Sequence, residues 1–129
     1  MSTSVPEPDY VNWRTSPGDR EEDAAALFGH YLIKHCREEA LRTVATDAPV
    51  QVHEAAQRAV DQALHNAMDL FEGFWKLKAG QQHDAELALH VEIRDNDNLV
   101  ESVRIAPCRV DLPIGYWAWL ERYQESMPK

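Results

Sequence analysis

The chain has 129 residues, 44% hydrophobic and 27% charged, a composition that suits one ordinary globular domain and excludes wholesale disorder. Thirteen basic residues against 22 acidic ones leave a formal net charge of −9. That balance repels phosphate backbones and anionic membrane surfaces, so neither nucleic acid nor a membrane is the expected partner, while a basic protein is.

Residues Met1 to Pro8 are polar, carry two prolines and lack the apolar core of a signal peptide. The longest apolar run, Ala24 to Phe28, is far too short to span a bilayer, and a cytoplasmic location is expected. Residues 1–15 read as an extended arm pinned by Trp13, and residues 16–129 as a single domain. Ser16 and Pro17 form a helix-start signal, with Asp19 to Asp23 placing negative charge at the positive end of the helix dipole. The first stripe of this helix is Ala24, Leu27, Phe28, Tyr31 and Leu32, while Ile33, Ala40 and Val44 lie well round the cylinder, so more than one side is expected to be covered.

Pro49 separates this helix from a second, for which Asp47 is the expected cap. The second helix has a regular apolar face of Ala56, Val60, Ala63, Leu64, Ala67, Phe71 and Phe74. The short connection makes the pair an antiparallel hairpin. Either Gly73 or Gly80 can end the second helix, and Lys76 and Lys78 favour Gly80. The period then changes: Leu87, Leu89, Val91 and Ile93 alternate with polar neighbours, as in a half-buried strand. Asp95 to Asn98 supply a turn, Leu99 to Ile105 a second strand, and Cys108, Val110 and Leu112 either an extension or an edge strand. Tyr116 to Glu125 read as a short final helix. The expected fold class is therefore α+β: a long antiparallel helical hairpin packed on a small antiparallel sheet of two or three strands, followed by a short aromatic helix.

No motif for a reaction or a cofactor survives inspection. His53-Glu54-Ala55-Ala56-Gln57 begins like a zinc-protease HExxH but ends in glutamine. Asp95 to Asn98 begins like a calcium loop, but Leu99, Val100 and Ala106 stand where ligands and the turn glycine are needed. Cys36 and Cys108 form no CxxC pair, and both are expected as reduced, partly buried thiols. The strongest metal candidate is Asp61, His65, Asp69 and Glu72, spaced four, four and three along one helix face, with His90 as a contributor from the sheet. The competing reading of that face is an ordinary solvated one, and no cofactor is expected. The aromatic cluster Tyr116, Trp117, Trp119 and Tyr123 is the expected interface: Tyr116, Trp119, Leu120 and Tyr123 share a face that can seal the core, while Trp117 projects with Ile114 toward a partner, and the competing reading is a simple lid on the domain's own core.

Leu70-Phe71-Glu72-Gly73 at the end of an alanine-rich helix, a hairpin, and Gly115-Tyr116-Trp117-Ala118-Trp119-Leu120-Glu121 together resemble a group of small uncharacterised bacterial proteins. The resemblance covers the last half of the chain. In that group the helix ends in aspartate-glycine and the tail reads glycine-tyrosine-histidine-glycine-tryptophan-leucine-glutamate; here Glu72, Trp117 and Ala118 depart from it. It implies a bacterial origin and carries no activity. The functional expectation is a non-enzymatic, acidic interaction module, a homodimer that binds a basic partner in the manner of an immunity protein. The alternative is a small metal-dependent or small-molecule enzyme with its site on the polar face of the second helix.

Overall fold

The structure is a computed structural model, and it describes residues 5–107 and 111–127. Helix α1 (Pro17–Tyr31) starts as its sequence dictates, with Ser16 accepting a hydrogen bond from the Asp19 amide and Pro17 in the first turn. It runs into a π-helical segment, Leu32–Glu38, and then into α2, Glu39–Leu41. Leu32, Ile33 and Arg37 are all buried within this segment, so the helical rod is covered on more than one side, as the spread of its apolar residues predicts. Cys36, expected to be partly buried, is exposed on the same segment, and Cys108 lies outside the described residues.

Helix α3 (Val50–Phe71) begins behind Pro49, with no side-chain cap, so Asp47 does not cap it. Gly73, rather than Gly80, ends it. At φ +81° Gly73 adopts the left-handed conformation that glycine tolerates, the Gly73 amide donates to the Leu70 carbonyl and the Phe74 amide to the Asp69 carbonyl. The helix therefore stops at Phe71, three residues short of Phe74, which leaves the apolar face it was expected to extend.

Two small antiparallel sheets follow. Strands β1 (Leu77–Lys78) and β2 (Asp84–Ala85) make a minimal hairpin in the region where the second helix was expected to continue and the first long strand to begin. Strands β3 (Leu89–Asp95) and β4 (Asn98–Ala106) form the main one, with Asp95 opposite Asn98 and Asn96 at φ +58° in the connecting turn. Of the predicted third stretch, Cys108 and Val110 lie outside the described residues. Leu112 starts a helix instead: α4 (Leu112–Ser126) is capped by Asp111, whose carboxylate accepts from the Ile114 amide, and Pro113 sits harmlessly in its first turn.

Helix α4 packs against both α1 and α3, and the β3–β4 hairpin packs on α1. The fold is thus α+β, with the aromatic helix seated against both long helices. The core gathers Ala24, Ala25 and Ile33 from the first helical rod, Met68 from α3, Ile105 and Ala106 from β4, and Leu112, Tyr116, Trp119 and Leu120 from α4. The N-terminal segment lies on this core, with Val5 and Trp13 buried. Tyr10 Oη donates to Glu101 Oε1 at 2.6 Å, and Arg20 Nε donates to Glu101 Oε2 at 2.8 Å. Arg20 and then Tyr10 hold the Glu101 carboxyl down to about 2, so this clamp between the arm, α1 and β4 stays ionised through the physiological range.

Candidate functional site

The polar face of α3 is the seat of α4. Asp61 Oδ1 accepts from Arg37 Nε at 2.7 Å and from Tyr116 Oη at 2.6 Å, while Arg37 also donates to Glu38 Oε1 at 2.9 Å. Arg37 is only 5% exposed. Burial works against its cation, the Asp61 carboxylate outweighs burial, and the guanidinium ends above its usual range. The Tyr116 hydroxyl is pushed up, first by burial and then by Asp61. Arginine is thus held charged and tyrosine held protonated, which makes this cluster a structural tie with no proton to exchange near neutral pH.

The other members of that face are engaged separately. Glu72 Oε1 accepts from the Leu112 amide at 3.3 Å, joining the end of α3 to the start of α4, and burial raises its carboxyl above the usual range. The His65 ring stacks on Trp117 at 5.5 Å, and its Nδ1 lies 3.8 Å from Asp69 Oδ2. Asp69 Oδ1 is buried without a hydrogen-bond partner among the described residues. Asp61 and Glu72 are separated by about 16 Å of helix rise, and His90 is exposed on β3 opposite Arg104. The structure brings His65 beside Asp69 and does not bring the four together. Among the described residues no three histidine, cysteine, aspartate or glutamate side chains are grouped so as to hold a metal ion.

The aromatic cluster divides. Tyr116 and Trp119, expected at an interface, are buried and belong to the core. Trp119 meets Phe28 edge-on at 5.9 Å and lies flat against Gly29 of α1, where a Cβ would run into its ring. This is why α1 and α4 approach so closely. Tyr123 is half-buried beside His30, at 5.6 Å between rings. His30 lines a cavity of about 230 Å³ with residues 5–8; its Nε2 has no hydrogen-bond partner among the described residues, and burial lowers its basicity. Trp117 and Ile114 remain at the surface, 48% and 69% exposed.

Two surface concavities stand out. One is a cleft of about 690 Å³ between the start of α1 and α4, lined by Asp19, Glu21, Glu22, Asp23 and Asp111 against Arg14 and Arg122, with Ile114, Gly115 and Ala118 also on its lining. Arg14 already pairs with Asp19, Glu22 and Asp23, so negative charge is in excess there. The other is a groove of about 500 Å³ at the end of α3, bounded by Phe74, Trp75, Leu87 and Pro107. Sequence reasoning missed Phe74 and Trp75 as surface residues; the signal available was Gly73, whose left-handed conformation takes both off the helix. No family model, curated protein or solved structure matches this chain.

Proposed function

We propose that this chain is a non-enzymatic protein-binding module of the cytoplasm, working as a homodimer, that takes a basic segment of a partner protein into the cleft between α1 and α4. The observation that carries this reading is the composition of the cleft. Its lining holds five carboxylates against two guanidiniums, together with an exposed isoleucine, Ile114. Negative potential in a concave surface attracts and orients a cationic partner. Ile114 offers the apolar contact that pure charge attraction lacks. An acidic protein that neutralises a basic one needs no more than this. By contrast, the α3 carboxylates of the enzymatic alternative already serve Arg37, Tyr116 and the amide of Leu112.

The test is calorimetric titration with a short amphipathic lysine–leucine peptide at low and physiological salt. Binding should weaken as salt rises, and the exposed reversals Asp19→Lys and Glu22→Lys together should weaken it about tenfold or more, or about 1.4 kcal/mol. Equal binding by that variant would remove the cleft as the site.

A further inference from the structure

We propose that the ledge of Phe74, Trp75 and Leu87 is where a second copy of this chain docks, each copy's Trp75 entering the groove of the other. The inference rests on the homodimer reading above and names its surface.

The ledge begins with backbone geometry. Gly73 ends α3 in a left-handed turn, so the next two residues, both large and aromatic, are carried off the helix and past the protein's own core. Phe74 is 66% exposed, Trp75 50%, and Leu87 stands exposed across the groove. A phenylalanine and a tryptophan adjoining one another in water, beside a groove of about 500 Å³, make a projection and a recess on the same patch. A two-fold interface requires this combination, because each surface must be complementary to itself.

Charge decides between a second copy and another occupant. Two chains of net charge −9 repel each other, and most strongly where acids are concentrated, as in the α1–α4 cleft. The ledge is close to balanced: Lys76 and Lys78 stand against Glu72, Asp84 and Glu86. The balance is also incompletely used within one chain. Both lysines fall on the one carboxylate of Asp84, Lys78 at 2.7 Å and Lys76 at 3.6 Å, while Glu86 has no ion pair among the described residues. Lys76, just before β1, and Glu86, just after β2, carry opposite charges on the lining of the same groove, so two copies that meet across it can pair Lys76 of one with Glu86 of the other. A strongly basic partner would gain little on such a surface; an identical acidic one avoids repulsion there.

The test is sedimentation velocity of the full chain from about 1 to 100 μM, a range that brackets a micromolar dimer. Wild type should shift from monomer to dimer. Trp75→Lys should stay monomeric with an unchanged circular dichroism spectrum, Lys76→Glu should weaken the dimer about tenfold or more, and adding Glu86→Lys to it should restore association. A dimer unmoved by Trp75→Lys, or one abolished by Trp117→Ser instead, overturns the ledge and leaves the dimer reading standing. A wild-type monomer at every concentration overturns both. The Trp75→Lys variant should still take up the lysine–leucine peptide, so failure of the cleft and failure of the ledge are read separately.

Discussion

The C-terminal helix and the segment just past α3 are the two most aromatic stretches of this protein, and they have opposite fates. In α4, Tyr116 is fully buried and hydrogen-bonded, and Trp119 is wedged against a glycine, while Trp117 and Tyr123 remain partly in solvent. Past α3, Phe74 and Trp75 are adjacent and both outside. Aromatic content does not separate the two regions. What separates them is what each backbone faces: α4 has helices on two sides to receive its rings, whereas the Gly73 turn delivers its two rings beyond the last layer of the core.

The contrast can be broken most forcefully at Asp61, which ties α4 to the long helices. Asp61→Ala leaves the buried Arg37 cation without its main partner, and we expect a loss of about 3–5 kcal/mol by chemical denaturation. Pairing it with Arg37→Met should recover most of that loss, since the penalty belongs to the orphaned charge. A cost below about 1 kcal/mol for the single change would mean that solvent reaches the cluster.

Two glycines sharpen the comparison because each is needed for a different reason. At Gly29 the backbone angle is ordinary but a Cβ collides with Trp119, so Gly29→Ala should cost about 2–3 kcal/mol and flatten the near-ultraviolet circular dichroism of the tryptophans. At Gly73 a Cβ meets nothing, and only the left-handed angle objects, so Gly73→Ala should cost about 1 kcal/mol with that spectrum unchanged. If the two spectral outcomes were exchanged, the assignment of crowding to one site and conformation to the other would fail.

Glu72 belongs to both regions, since it caps α4 and lines the groove of the ledge. Burial holds its carboxyl above the ordinary 4.5. Between that value and the folded one, the folded state keeps its proton while the unfolded state has lost it, so stability falls as pH rises through this window. Glu72→Gln retains an oxygen acceptor for the Leu112 amide and should remove the decline, the variant gaining on wild type as pH increases from 4.5; thermal melts across that range check it. The smallest expected effect is at the ledge itself. Trp75→Ala should cost the monomer no more than about 1 kcal/mol, measured below the dimerisation range, because half of the residue is already in solvent.

The α+β class, the Ser16–Pro17 start, the separation of the two long helices at Pro49, the Asp95–Asn98 turn and the alternation of Leu89, Val91 and Ile93 were written in the sequence, because capping, proline geometry and periodicity act over a few residues. The face of α3 with Asp61, His65, Asp69 and Glu72 was legible as a polar stripe and illegible as a seat for another helix. Nothing local announces that Arg37, twenty-four positions away, will meet Asp61, or that the amide of Leu112 will meet Glu72. The π segment hid Arg37 in the same way: its wider turns shift the helical phase over seven residues, and a regular wheel does not announce an arginine buried within it. Sequence alone thus determined the fold class, the starts of the two long helices, the main hairpin, the net negative charge and the supply of aromatic rings. Tertiary structure decided which acids are consumed by packing, which tryptophan is core and which pair of rings is left outside, because these depend on contacts between residues far apart in the chain.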